Sequence, residues 1–179
     1  YGSNGDDLIG LAPFWTKLLP GTQFVSPNAP EPVPGYPAGR QWFGLTTMNP
    51  TALRAGADKA ADGLNRFIDR EMERYGVGPE RTALVGFSQG TMMSLYIALR
   101  RAHALAGVVG FSGALVAPEE LPSAITAKPP ILLVHGDRDD MVPAGALFDA
   151  LEGLAKAGHG AEFRLCAGLG HSIDQRGLD

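Results

Sequence analysis

Four short apolar segments that alternate with helical patterns constrain the fold of this chain most strongly. The strand candidates are Thr82–Phe87, Gly107–Phe111, Ile131–Val134 and Ala161–Leu165. Helical periodicity through Met92–Leu99 and over Ala144–Ala157 separates two pairs of them. Parallel strands need such crossovers, so the pattern predicts an α/β fold with a mostly parallel central sheet and helices on both faces. The 179 residues suit a single domain, 1–179.

The first part of the chain predicts different elements. Asp6-Asp7 is a candidate cap for a helix that runs to Leu18, and Gln23–Ser26 is a short strand candidate. Prolines recur through Pro27–Gly44, which favours a long ordered surface loop. Apolar residues on one stripe then predict a long helix over about Thr51–Tyr75.

The composition excludes several classes of function. The formal net charge is −4 without a basic stripe, which argues against a nucleic-acid partner. No apolar run reaches the roughly 20 residues that a membrane-spanning helix needs. The one cysteine, Cys166, permits no internal disulfide and fits a cytoplasmic location.

Both ends of the chain lie at unusual points. The sequence opens on Tyr1 rather than Met and stops at Asp179, shortly after a helix start. We therefore expect the natural protein to extend further at both ends, with the rest of a C-terminal helix after Asp179. A signal peptide before Tyr1 stays possible.

The sharpest local motif is Gly86-Phe87-Ser88-Gln89-Gly90, which lies between a predicted strand and a predicted helix. A nucleophile on such a tight turn needs small residues two positions away on each side. The turn exposes the serine hydroxyl and puts the next backbone N–H groups at a helix start, where they stabilise negative charge. The motif predicts Ser88 as a nucleophile; the alternative is a glycine-rich turn with an incidental serine.

A serine nucleophile needs a base, and the chain has four histidines. His103 and His159 fit solvated loop or helix-end positions, and His135, directly after an apolar strand, fits a structural hydrogen bond. His171, just after the last strand, can reach over the sheet edge toward Ser88. We therefore predict His171 as the base.

An orienting carboxylate completes the set. Asp137, Asp139 and Asp140 all follow the strand at Ile131–Val134, and spacing alone does not choose among them. The order Ser, Asp, His matches the α/β-hydrolases and differs from the chymotrypsin and subtilisin orders.

These motifs resemble the phospholipase/carboxylesterase family of α/β-hydrolases, which includes the acyl-protein thioesterases. The resemblance covers nearly the whole chain. It is carried by Gly5-Asp6-Asp7-Leu8, Gln41-Trp42-Phe43, the Ser88 motif, Phe111-Ser112-Gly113, His135-Gly136-Asp137-Arg138-Asp139 with Val142-Pro143, and Gly170-His171.

The resemblance implies an acid, an oxyanion hole and a class of reaction. The acid is Asp139, which leaves Asp137 as a turn residue. One oxyanion donor is the Gln89 N–H; the other lies on a strand end that would precede Tyr1. The implied reaction is hydrolysis of a small-molecule carboxylic ester or thioester, lysophospholipids included, without a metal or organic cofactor. Related enzymes are often dimeric, so a homodimer is a possible assembly.

The sequence indicates less about the preferred acyl group than about the reaction mechanism. Trp42 and Phe43, with Met141 and Val142 beside the acid, are candidates to line an apolar acyl site, and the resemblance puts the Trp42 loop over its mouth. The alternative is an aromatic pair that anchors a long loop to the core. No large lid insertion is evident, which favours small or medium acyl chains.

Three other functions stay open at this stage. A dienelactone hydrolase commonly uses cysteine where this chain has Ser88. An acyltransferase would need a site that excludes water. A non-catalytic ligand-binding protein on the same fold need not keep Ser88, Asp139 and His171 together.

Overall fold

The computed structural model describes residues 1–45 and 49–178. Short helices begin the chain: α1 (Gly5–Leu8), a 3₁₀ turn (Ile9–Leu11) and α2 (Ala12–Trp15). A hairpin, β1 (Glu31–Val33) and β2 (Tyr36–Gln41), precedes α3 (Pro50–Tyr75). A second 3₁₀ turn (Pro79–Arg81) follows α3. The remaining elements are β3 (Ala83–Phe87), α4 (Gln89–Ala98), β4 (Gly107–Phe111), α5 (Leu121–Ala124), β5 (Ile131–Gly136), α6 (Gly145–Lys156), β6 (Glu162–Cys166) and α7 (Gln175–Leu178).

The central sheet has four strands in the order β3-β4-β5-β6, all parallel. The predicted strands are therefore confirmed, with bounds that differ from the prediction by at most two residues. Each strand lies beside the next one in the chain, so every crossover moves the same way. Because such crossovers are right-handed, they put α4, α5 and α6 on one face.

That face carries the larger core. Residues of β3, β4 and β5 pack against apolar side chains of α4, α5 and α6, and the fully buried members include Leu95, Leu99, Leu121 and Leu154. The long helix α3 packs against α4 through a second cluster that includes Leu64 and Ile68. The helix predicted over Thr51–Tyr75 is confirmed and ends at Gly76, whose φ of 62° gives the left-handed cap that glycine favours.

The opposite face of the sheet is covered by smaller elements. Phe111, Val134 and Cys166 form its buried cluster, with Trp15 and Leu178 among the partly buried residues that pack on them. The Trp15 indole N–H also donates to the Leu178 carbonyl at 3.3 Å, which joins α2 to α7. Helices therefore lie on both faces, as predicted, with α4, α5 and α6 on one face and only the short α2 and α7 described on the other.

Three predictions for the first 45 residues are wrong. Asn4, rather than Asp6 or Asp7, caps α1 by accepting from the Asp7 N–H at 2.9 Å, and the predicted helix is broken into short pieces. Gln23–Ser26 forms no strand.

The third wrong prediction is the loop over Pro27–Gly44, which contains the β1–β2 hairpin. Its turn is Pro34-Gly35, with Gly35 at φ 78°, the signature of a type II turn. The pair is two-stranded and lies outside the central sheet. Prolines, which have no backbone N–H, therefore remove few hydrogen bonds between its strands.

Across residues 1–45 and 49–178, no helix combines the length and the apolar character that crossing a membrane requires.

Candidate active site

Ser88 occupies the turn between β3 and α4. Its backbone has φ 54° and ψ −117°, a conformation that costs a non-glycine residue free energy and occurs where a site requires it. The Ser88 N–H donates to the Phe111 carbonyl at the end of β4, at 2.8 Å. This bond fixes the turn to the neighbouring strand, and the side chain stays partly exposed.

The two glycines of the motif have different surroundings. A Cβ on Gly86 would lie 2.5 Å from the backbone carbonyl of Gly90, and it would also meet the Thr91 nitrogen. A Cβ on Gly90 would meet no described atom within 4 Å. The sequence argument that both positions must be small is thus supported by close approach at Gly86 only.

Thr91 explains why so many glycines surround this turn. Its hydroxyl lies 2.8 Å from the Gly86 carbonyl and 2.8 Å from the Phe111 carbonyl, so it can donate to either. A Cβ on Gly110 or Gly113 would collide with the Thr91 side chain. These glycines let the start of α4 sit directly on the ends of β3 and β4.

Asp139 lies in the loop after β5 and is only 6% exposed. Its Oδ1 accepts from the backbone N–H groups of Met141 at 3.0 Å and Val142 at 2.8 Å. Burial disfavours the charged carboxylate, but the hydrogen bonds from Val142 and His171 outweigh it, so the pKa of Asp139 lies below its ordinary value. The carboxylate is therefore ionised at neutral pH.

His171 lies in the loop after β6, and its Nδ1 is 2.8 Å from Asp139 Oδ2. Its ring packs on Phe87, with the ring centroids 4.9 Å apart. Since Phe87 directly precedes Ser88, this contact holds the imidazole beside the Ser88 turn. An ionised carboxylate only accepts, so Nδ1 carries the hydrogen and Nε2 of the neutral ring has a free lone pair.

Of the three candidate aspartates, the structure brings Asp139 to His171. Asp137 is exposed, and its Oδ1 accepts from the Gly168 N–H at 2.6 Å, which ties the loops after β5 and β6 together. That contact agrees with a turn residue. Asp140 is exposed to solvent.

The other histidines lie elsewhere or serve other contacts. His103 is exposed, and His159 Nε2 is 2.8 Å from the Pro129 carbonyl, a hydrogen bond that the sequence did not predict. His135 is 2% exposed, and its Nε2 lies 2.8 Å from the Val142 carbonyl. The predicted structural hydrogen bond of His135 is thus present.

The Trp42-Phe43 pair is joined to the nucleophile turn by the Gln89 side chain. Gln89 is fully buried; its Oε1 accepts from the Trp42 N–H at 2.9 Å, and its Nε2 donates to the Phe43 carbonyl at 2.7 Å. Phe43 is 4% exposed and packs in the α3–α4 cluster, so its ring is the core anchor given above as the alternative. Trp42 keeps exposed surface. Sequence reasoning assigned Gln89 only through its backbone and missed this amide clamp.

The two candidates beside the acid also differ. Met141 is 70% exposed, whereas Val142 is 6% exposed and packs in the same cluster as Phe43. Met141 is therefore the member of the pair whose side chain a ligand can touch.

A groove of about 230 Å³ runs between the start of α3, the segment after β4 and the start of α6. Its lining is mostly apolar and includes Pro50, Leu53, Ala114 through Pro118, and Ala146. The segment after β4 reaches the groove from the Ser88 turn, because a Cβ on Gly113, the residue before Ala114, would lie 3.1 Å from the Ser88 carbonyl oxygen. Sequence reasoning missed this groove, since its walls come from three distant segments. The sequence signal for it was the apolar run Ala114–Pro118, which follows Phe111-Ser112-Gly113.

The comparisons with known proteins agree with this geometry. A family model described as phospholipase/carboxylesterase matches residues 1–179. Esterase YpfH of Escherichia coli K12 is 30% identical over 177 residues, which are 99% of this chain and 75% of that protein. Acyl-protein thioesterase 1 of Saccharomyces cerevisiae is 29% identical over 162 residues, 84% of this chain and 71% of that protein.

Solved structures point the same way. The crystal structure of esterase PE8 superposes with a TM-score of 0.94 at 46% identity and covers 99% of this chain and 84% of that one. The parallel sheet, its crossovers and the tight turn between β3 and α4 are those of an α/β-hydrolase fold. Within that class, the chain belongs to the phospholipase/carboxylesterase family. It is an enzyme of the ester-hydrolase type.

Proposed function

We propose that this protein hydrolyses carboxylic esters or thioesters through an acyl-enzyme on Ser88. The observation that carries the proposal is the Asp139–His171 hydrogen bond of 2.8 Å, with the imidazole packed on Phe87 next to Ser88. A buried ionised acid, an oriented imidazole and a serine with positive φ on a tight turn are the parts that acyl transfer needs. The names of the relatives, esterase and acyl-protein thioesterase, support the same reaction class.

The first step is attack by Ser88. His171 Nε2 takes the hydroxyl proton as the serine oxygen bonds to the acyl carbonyl carbon. Asp139 holds the Nδ1–H and stabilises the imidazolium that forms. The low pKa of Asp139 suits this role, because the carboxylate keeps its charge while His171 becomes cationic.

The tetrahedral intermediate puts negative charge on the former carbonyl oxygen. Gln89 is the first residue of α4, so its N–H has no acceptor within the helix and is available to that oxygen. Collapse breaks the bond to the alcohol or thiol, which leaves with a proton from His171. Water then attacks the acyl-enzyme by the same route and restores Ser88.

The apolar groove between α3, the segment after β4 and α6 is our candidate for the acyl site. Its apolar walls suit a hydrocarbon chain. Trp42 and Met141, the other candidates, keep surface that a ligand can touch. Burial of each methylene contributes about 0.8 kcal/mol, so a chain that fills the groove gains binding energy over acetate. We therefore expect medium-chain acyl groups to be preferred.

Hydrolysis of p-nitrophenyl esters of increasing acyl length tests the proposal. Ser88→Ala should lose essentially all turnover, roughly 10³-fold or more, because the variant lacks the hydroxyl oxygen that attacks the acyl carbonyl and forms the acyl-enzyme. Ser172→Ala, at an exposed serine next to His171, is the matched control and should stay close to wild type. Activity of Ser88→Ala within tenfold of wild type would exclude Ser88 as the nucleophile.

Three further expectations belong to this proposal. We take residues 1–179 to act as one catalytic domain with a small-molecule substrate. A cytoplasmic location and a homodimer stay predictions from the sequence and the resemblance.

A further inference from the structure

We propose that His135 is a positioning residue that keeps Asp139 aimed at His171. The inference rests on the proposed function and adds a residue to it. His135 is the next-to-last residue of β5 and is 2% exposed. It lies four residues before Asp139 and makes no described contact with His171.

Val142 links the two side chains. The Val142 N–H donates to Asp139 Oδ1 at 2.8 Å, and the Val142 carbonyl lies 2.8 Å from His135 Nε2. One residue thus binds the acid through its nitrogen and the buried histidine through its oxygen. The orientation of the Asp139 carboxylate depends on where this residue is held.

The chemistry of the contact fixes the tautomer of His135. A backbone carbonyl only accepts, so His135 Nε2 must carry the hydrogen and donate it to the Val142 oxygen. The same N–H lies 3.5 Å from Asp139 Oδ2, the oxygen that accepts from His171. That distance is longer than a good hydrogen bond, so its effect is electrostatic attraction rather than a second bond.

The carboxylate is therefore held from three directions. Met141 and Val142 bind Oδ1, His171 binds Oδ2, and His135 restrains Val142 from the strand side. In a buried network a lost restraint has a large effect, because a catalytic group that is displaced by about 1 Å can lose roughly 10²-fold in rate. Loss of the His135 donor should thus impair proton transfer and leave substrate binding nearly intact.

A purely structural role for His135 gives a different result. The ring also borders a small internal cavity with Thr91, Gly110 and Leu133, so a replacement could simply loosen the core. Such loosening would act equally whether or not residue 139 carries a charge. The positioning role requires the effect to act through Asp139.

The experiment is a double-mutant cycle in the full chain. His135→Leu and His135→Gln are each made with Asp139 and with Asp139→Asn. The readouts are kcat and KM on p-nitrophenyl butyrate and the rate of fluorophosphonate labelling. Gln puts an amide N–H near the position of Nε2, whereas Leu has no donor.

The proposal expects three results together. His135→Leu should lower kcat about 10- to 100-fold with KM within about threefold, in line with a 1 Å disturbance. His135→Gln should recover most of that loss. In the Asp139→Asn background, His135→Leu should lower kcat by less than about threefold, since the carboxylate that His135 positions is already absent.

Equal losses in both backgrounds would overturn the proposal, and so would a Gln variant no better than Leu or a change confined to KM. If His135→Leu does not fold by circular dichroism, His135→Asn replaces it, because its shorter amide does not reach the Val142 carbonyl. Ser88→Ala, run in parallel, distinguishes failure of the proposed function from failure of the His135 inference. Loss of activity in Ser88→Ala with additive His135 effects would leave the proposed function standing and remove only this inference.

Discussion

At the residue scale, the loop after β5 uses its two key aspartates for different purposes. Asp139 is buried and accepts from two backbone N–H groups and from His171. Asp137 is exposed and accepts from the Gly168 N–H. The first contact set requires a charged acceptor next to an imidazole, and the second requires only an oxygen.

Exchange of each carboxylate for an amide separates these uses. Asp139→Asn should lower kcat by about 10⁴-fold, the size of loss known when a triad acid becomes an amide that no longer fixes the imidazole tautomer. Asp137→Asn keeps an oxygen for Gly168 and should cost less than about tenfold, as an uncharged hydrogen bond is worth roughly 1 kcal/mol. Steady-state kinetics on one p-nitrophenyl ester measures both. Similar losses in the two variants would contradict the assignment of Asp139.

At the scale of elements, the turn from β3 to α4 is set by close backbone approach. Gly86 faces the first residues of α4, and the atoms that a Cβ would meet belong to the backbone of Gly90 and Thr91. Backbone cannot move aside as a flexible side chain can. Gly90, inside the first turn of α4, faces space free of described atoms.

The pair Gly86→Ala and Gly90→Ala tests this difference in stability. Gly86→Ala should destabilise the fold by about 1–3 kcal/mol, the usual cost of overpacking a close contact. Gly90→Ala should be neutral or stabilising by up to about 1 kcal/mol, because alanine is the better helix former. Urea denaturation followed by circular dichroism gives both values. A Gly90→Ala variant as unstable as Gly86→Ala would show that the turn itself, rather than the contact, requires glycine.

At the scale of the whole molecule, the apolar groove lined by Leu53 and Ala114 exists only where three segments meet. The start of α3, the segment after β4 and the start of α6 each supply one wall. Leu53 of α3 lines it, while Ala55, two residues further along the helix, is exposed outside it.

A bulky residue in the groove should change the acyl-length profile. Leu53→Trp should lower the ratio of octanoate to acetate kcat/KM by at least about tenfold, since exclusion of three or four methylenes removes roughly 2–3 kcal/mol of binding. Ala55→Trp adds the same side chain on the exposed surface and should keep the wild-type ratio. A profile unchanged in Leu53→Trp would place the acyl chain outside the groove.

The sequence by itself determined the parallel sheet, because apolar runs such as Ile131–Val134 and the helical stripe of α3 are local patterns with one stable arrangement. It also predicted the Ser88 turn and the approach of His171, because carboxyl ends of neighbouring parallel strands share one edge. The prediction was wrong at Pro27–Gly44, where the prolines favoured a loop and the structure has a hairpin. The Pro34-Gly35 turn was the local signal for that hairpin.

Only the tertiary structure decided contacts between residues distant in the chain. From the residues alone, three aspartates stayed open, and only the resemblance favoured Asp139, because the choice depends on loop conformation; in the fold, Asp139 is the one that meets His171. The Gln89 amide clamp on Trp42 and Phe43 spans more than 40 positions and has no local signal. Packing likewise turned Phe43 and Val142 inward and left Trp42 and Met141 with exposed surface. Sequence periodicity specifies which face of an element is buried, but which partner it meets is set by the assembled core.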